Sequence, residues 1–317
     1  MSEIQPLNAT FFLFKKRDRA VILPATLGYM VLIVAIFGLF FFLNRQGIED
    51  YFEWAMSLGA AGVDPQSMPM PPASVMALGP AYLLLTLIAY IAFAMYEAGC
   101  LRWLIRGETG GVAGLSLGAD TWRVYFGYWI WFFLLLGAYA VLAVAMLAFA
   151  GVFAMGANTQ DPSALFDLGP LAFAVILLWL VGLLYLAVRL APAAATSVAS
   201  RRFTFFDAWK VTRGRFWAMF GAFLLLFVLF YVLMIVISIV FSMVIATGFV
   251  SAATASGDPD PDQVFAMLAT PQVLVPLALM YAFILLCAFV WMAAMFAVNA
   301  RAAIAALEEG KIAQAAG

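Results

Sequence analysis

The sequence predicts an all-α fold: a polytopic membrane bundle of six transmembrane helices, arranged as three parallel helical-hairpin repeats with interfacial helices between them. Three observations predict it. The chain of 317 residues is 67% hydrophobic and only 10% charged, with a mean hydropathy of +1.05; an ordinary soluble domain carries about 25% charged residues. Six runs are long and apolar enough to cross a bilayer. The charges between those runs alternate from basic to acidic along the chain.

A span needs ~20 apolar residues at a rise of ~1.5 Å each. The stretches at about 21–43, 76–98, 125–155, 169–191, 216–247 and 272–299 qualify. The first carries no charge from Val21 to Leu43 and has a basic N-terminal flank. It is followed by Asn44-Arg45, with no small-residue cleavage site, which reads as an uncleaved signal-anchor. The third and fifth exceed what a bilayer requires and are expected to tilt, kink or project beyond it. Pro24, Pro80, Pro170, Pro192, Pro271 and Pro276 fall near span ends, as boundaries or kinks. Ala150/Ala154 and Ala293/Ala297 have the small-xxx-small spacing of closely packed helices. No loop is long enough for a second domain, so residues 1–317 form a single integral membrane domain.

Orientation follows from Lys and Arg. Of the 16 basic residues, all but Arg45 fall in one set of alternate segments. These are the N-terminus (Lys15, Lys16, Arg17, Arg19), the loop after span two (Arg102, Arg106, Arg123), the loop after span four (Arg189, Arg201, Arg202, Lys210, Arg213, Arg215) and the C-terminus (Arg301, Lys311). The opposite loops carry Glu49, Asp50, Glu53, Asp64, Asp161, Asp167, Asp258, Asp260 and Asp262. Both termini are therefore expected in the cytoplasm.

The chain also aligns with itself. At one constant offset Arg102 falls on Arg189, Asp120 on Asp207, Trp122 on Trp209, Arg123 on Lys210 and Gly127 on Gly214. Phe14-Lys15 forms a weaker copy near the N-terminus. The outward loops repeat as Asp161-Pro162-Ser163 and Asp260-Pro261-Asp262, each a helix-start signature. In the first outward loop Ile48, Tyr51, Phe52 and Ala55 share a helical face, with Asp50, Glu53 and Ser57 off it. Three repeats result, at about 1–105, 106–200 and 201–317. With two spans per copy they are parallel, unlike the inverted repeats of many transporters.

The chemistry-bearing residues gather at the basic side. Arg201-Arg202-Phe203-Thr204-Phe205-Phe206-Asp207-Ala208-Trp209-Lys210, with Arg213 and Arg215 after it, interleaves basic and aromatic side chains. That suits a helix lying in the headgroup layer, with Thr204 and Asp207 spaced as a capping box. Arg102, Arg189, Arg201, Arg202, Trp209, Lys210, Arg213 and Arg215 are the candidate contacts for anionic lipid headgroups. Asp120 and Asp207 are explained by their places at helix starts. Glu97 lies close in sequence to Arg102, as in a local ion pair or a snorkelling side chain. Tyr90, Glu97 and Ser238 are the polar groups that a cavity between hairpins would expose. No ionisable residue occupies a span centre, which argues against ion-coupled transport.

No cofactor is expected. The chain lacks histidine, P-loop, G-x-S-x-G and dinucleotide motifs. Its two cysteines, Cys100 and Cys287, read as small apolar residues, and Met68 and Met70 without Cys or His are a poor metal-ligand set. Gly107, Gly110, Gly111, Gly114 and Gly118 read as a flexible linker. The patch is small and pressed to the membrane, so nucleic acid is not an expected partner; membrane lipids, anionic ones above all, and a membrane-protein partner are.

Paired spans punctuated by Leu101-Arg102-Trp103, by Phe205-Phe206-Asp207-Ala208-Trp209-Lys210 and by Arg215-Phe216-Trp217 resemble one bacterial family. It is the six-helix membrane domain associated with glycerophosphodiester phosphodiesterases, with its free-standing YciC-like relatives. The resemblance implies an inner-membrane protein tied to lipid or envelope physiology. The chain has no soluble phosphodiesterase domain, so no enzymatic role carries over. The expectation is a non-enzymatic protein that organises lipids or partners through its basic-aromatic face; a passive transporter or lipid carrier is the alternative.

Overall fold

A computed structural model describes residues 12–15, 19–60, 70–157, 163–256 and 271–313. Six helices in it are long and apolar enough to span a membrane, and the fold is an all-α membrane bundle. They are α2 (Arg19–Leu43), α4 (Ala73–Arg106), α5 (Ala119–Ala157), α6 (Ser163–Leu190), α9 (Phe216–Ser256) and α10 (Pro271–Glu308). Short α1 (Phe12–Lys15) precedes them; α3 (Arg45–Ala60) follows α2; α7 (Ala193–Ala199) and α8 (Ala208–Thr212) lie between α6 and α9. The protein is a multi-pass membrane protein.

Consecutive spans pack as hairpins, α2 on α4, α5 on α6 and α9 on α10, and α4 also packs against α5 and α10. At 39 and 41 residues, α5 and α9 run to about 60 Å, beyond a bilayer of ~40–45 Å with its headgroups. The in-helix prolines Pro24, Pro80, Pro170 and Pro276 all sit within the first eight residues of their helices. At the sixth or eighth position each proline gives up one i→i−4 bond close to the helix start, as expected for a boundary or kink.

The packing core is not at mid-span. No more than 11% of the most apolar stretch of any span is buried. Lipid tails are as apolar as leucine, so nothing hydrophobic drives those stretches together. The buried residues collect instead at the basic end: Tyr96, Leu101 and Leu104 of α4, Ala195 and Val198 of α7, Met219 of α9, and Ala297, Ala300 and Ala303 of α10. Small alanines there let backbones approach. Ala293 and Ala297 are buried as expected, whereas Ala150 and Ala154 are exposed on α5.

Several local expectations need correction. The glycine-rich segment 107–118 is a docked loop, not a free linker. A methyl at Gly99 of α4 would stand 2.7 Å from the Gly114 carbonyl oxygen, and one at Gly28 of α2 only 3.3 Å from both Ala113 and Leu115. The loop thus plugs the crevice between α2 and α4, with Gly111 at φ +68° and Gly114 at φ +81° making the reversal. In α3 the docked face carries Gly47, which approaches Ser74 and Leu78, and Asp50, which accepts a 2.5 Å hydrogen bond from the Ser74 hydroxyl. Tyr51 and Phe52, read as lying on a different face from Asp50, are exposed. No side-chain cap forms at Thr204 or Asp207; Thr204 bonds Ser200 and Asp207 bonds Lys210. Asp120 lies in the first turn of a span, not of an interfacial helix.

Phe12 and Leu13 of α1 pack against the core. Lys16, Arg17, Asp64, Met68, Asp161, Asp258, Asp260 and Asp262 lie outside the described residues, as do the side chains of Lys15, Arg19 and Asp167.

Candidate functional site at the basic end

Ion pairs knit the ends of the hairpins together. Arg106, at the end of α4, donates to Asp120 of α5 at 2.5 Å, to Glu108 at 2.9 Å and to the Val198 carbonyl of α7 at 2.7 Å. Asp120 also accepts from Arg123 at 2.6 Å, and Glu108 from Arg201 at 2.6 Å. The side chains of Arg106 and Asp120 are each only 9% exposed. This pairing is therefore shielded from water, unlike a surface salt bridge. Arg215 pairs with Glu309, which Lys311 also approaches at 2.9 Å. The matched positions of the sequence repeat behave alike: Asp120 pairs with Arg123, and Asp207 with Lys210, each at 2.6 Å and three residues apart.

The candidate headgroup residues divide accordingly. Arg201, Lys210 and Arg215 are in ion pairs with carboxylates. Arg189 is held by aromatic rings, its guanidinium carbon 5.2 Å from the centroids of Tyr185 and Trp209 and 5.5 Å from that of Phe216. It also donates to the Tyr185 hydroxyl at 3.0 Å. Such stacking satisfies a guanidinium without a carboxylate. Arg102 is buried, with one hydrogen bond to the Gly114 carbonyl at 3.1 Å. Arg202 and Arg213 are exposed, and their side chains make no ion pair among the described residues. Beside them Phe203, Phe206, Trp209 and Trp217 are exposed, Trp217 at 77%.

The cavity residues also separate. A groove of about 320 Å³ runs between α2 and α4, lined by Tyr29, Phe37, Tyr82, Thr86, Tyr90 and Phe93 among others. Tyr90 reaches it. Glu97 does not line it: the carboxylate is buried and accepts a 2.5 Å hydrogen bond from Tyr128 of α5. The expected pairing with Arg102 is not formed; one helical turn further on, Arg102 turns to the glycine loop. Ser238 is exposed on α9, with its carbonyl accepting from Ser242, and is no part of the groove.

Arg106 and Tyr128 organise this end, yet sequence reasoning did not single them out as site residues. Their partners stand 14 and 31 positions away, beyond any helical periodicity. Comparison with protein-family models, with curated proteins and with solved structures finds no match.

Proposed function

We propose that the chain is a non-enzymatic protein of the bacterial inner membrane that gathers anionic phospholipids at its basic end, with that end and both termini in the cytoplasm. The observation that carries this reading is the exposed rim of Arg202 and Arg213 beside Phe203, Phe206, Trp209 and Trp217. Aromatic rings settle at headgroup depth, and each nearby Lys or Arg contributes about 1 kcal/mol against an anionic surface. Two such arginines enrich anionic lipid by roughly thirtyfold. A membrane-protein partner with an acidic juxtamembrane segment would use the same rim. The resemblance to the six-helix family named above accords with this role.

Native mass spectrometry of the protein in mixed nanodiscs tests it. Phosphatidylglycerol should be retained over phosphatidylcholine, and Arg202→Gln with Arg213→Gln should lower the number of phosphatidylglycerol copies retained by those held at the rim, leaving any lipid bound elsewhere on the protein. Equal retention of the two lipids by the unaltered protein would sink the reading.

The groove between α2 and α4 supports a second reading, a passive lipid carrier. Ala89 lines it, so Ala89→Trp should fill it and stop protein-dependent lipid scrambling in proteoliposomes. Scrambling at the unaltered rate in this variant, or none with the parent protein, rejects that reading.

A further inference from the structure

The geometry points to a phosphate-binding pocket at the start of α5, built from Arg102, Ser116 and the glycine loop, and distinct from the exposed rim. Arg102 is only 8% exposed, and its Nε has no hydrogen-bond partner. Arg106, Asp120 and Glu108 are the charged groups close enough to act on it. Both oxygens of each carboxylate are already engaged: Asp120 by Arg106 and Arg123, Glu108 by Arg106 and Arg201. Arg106, Arg123 and Arg201 thus take the direct contacts to these two carboxylates, and Arg102 makes no direct ion pair with either. A buried cation of this kind is costly unless an anion joins it.

The surroundings suit an oxyanion. A methyl at Gly118 would stand 3.7 Å from Arg102 Nη1 and 3.8 Å from Ser116 Oγ; a methyl at Gly110 would stand 3.6 Å from the same Oγ and 3.9 Å from Arg102 Cζ. Guanidinium and hydroxyl therefore face one corner that both glycines leave open. Gly118 also begins α5, its carbonyl accepting from Trp122. The first amides of a 39-residue helix have no intrahelical acceptor and point toward its start. The Ser116 carbonyl accepts from Thr121 at 2.6 Å, which pins the loop over those amides. A guanidinium, a hydroxyl and a helix N-terminus converging on glycines form a donor set for a phosphate group. Its source is a phospholipid headgroup or a water-soluble phosphate. The first source deepens the lipid reading above; the second stands without it.

Two arms separate the sources. Thermal unfolding in detergent is followed with inorganic phosphate against chloride at equal ionic strength, and native mass spectrometry compares phosphatidylglycerol with phosphatidylcholine. Stabilisation by inorganic phosphate assigns a soluble ligand; selective retention of phosphatidylglycerol without that stabilisation assigns the headgroup. In either case Gly110→Ala with Gly118→Ala should weaken the response about tenfold or more, as loss of one charge-assisted hydrogen bond does. The two methyls meet nothing closer than 3.6 Å, so this variant should fold even where Arg102→Gln fails to. Arg202→Gln with Arg213→Gln should leave the pocket response in place, which separates failure of the pocket from failure of the rim. The proposal is overturned by a parent protein that prefers neither phosphate nor phosphatidylglycerol. It is equally overturned by a double-glycine variant that responds like the parent, or by a response lost only on altering the rim.

Discussion

Gly99→Ala and Gly137→Ala place the same methyl group on two spans and should change stability in opposite directions. In a helix interior alanine is worth roughly 0.5–1 kcal/mol over glycine. Gly137 on α5 has nothing within 4 Å of the new carbon, so that gain should appear undiminished. At Gly99 the methyl would lie 2.7 Å from the Gly114 carbonyl oxygen, well inside ordinary contact. The glycine loop must retreat by more than half an ångström. That shift strains the 3.1 Å bond from Arg102 to the same oxygen and loosens the loop's contacts with Gly28. Overpacking costs about 1–3 kcal/mol, and a hydrogen bond from a charged group about 1.5–3 kcal/mol. Set against the helical gain, Gly99→Ala should destabilise by about 2–4 kcal/mol. Thermal unfolding of the purified protein in detergent reads both variants side by side. A Gly99→Ala protein as stable as Gly137→Ala would show that the loop does not plug the crevice between α2 and α4.

Other perturbations test the remaining contacts. Asp120→Asn leaves two guanidiniums without their shared carboxylate and should cost about 3–5 kcal/mol; Asp207→Asn, whose partner Lys210 is exposed, should cost under about 1 kcal/mol. Equal losses in unfolding experiments would contradict the ranking. Tyr128→Phe removes the donor to buried Glu97 and should cost about 1–3 kcal/mol, while Glu97→Gln keeps an acceptor and should cost less; the reverse order would mean the pair is not formed. Sidedness is read with an impermeant maleimide on a protein carrying Cys100→Ala and Cys287→Ala. Arg45→Cys should label from the periplasm and Arg202→Cys only after the cytoplasmic face is opened; labelling of both from one face refutes the topology.

The spans were legible because an apolar run of ~20 residues has few alternatives to crossing a bilayer. The acid-base alternation and the paired Asp120/Arg123 and Asp207/Lys210 positions were legible for a similar reason: each is written in local spacing. Arg106, Glu108 and Tyr128 were not, because their meaning lies in partners brought together by hairpin packing. The glycine loop was misread for the same cause. Glycines in a row read as flexibility, yet Gly99 and Gly28 on distant helices are what make room for it. In α3 the apolar periodicity marked an amphipathic face but did not say which side docks; Gly47 and Asp50, off that face, do. In a membrane an apolar side chain carries little directional information, since lipid accepts it as readily as a neighbouring helix does.

The same fact locates the chemistry. If burial of leucine and phenylalanine cannot hold six spans together, something else must, and the structure places it where the spans leave the hydrocarbon. There Arg106 ties α4 to α5 and α7, Arg215 ties α9 to the end of α10, and alanines replace bulky residues. Ion pairs at that depth are less solvated than on a soluble surface, so each is worth more and an unmatched charge costs more. A bundle held this way spends its arginines on structure. The ones left over are therefore informative: Arg189 is held by rings, Arg202 and Arg213 face outward, and Arg102 is buried without a direct ion pair among the described residues. Arg102 and Arg189 hold matching places in the repeat, yet one is satisfied by aromatic rings and the other faces a glycine-lined corner. Equivalent positions thus differ in what satisfies their guanidiniums, while the supporting Asp-basic pair is retained in both copies, and the phosphate arm of the pocket experiment reads that difference directly.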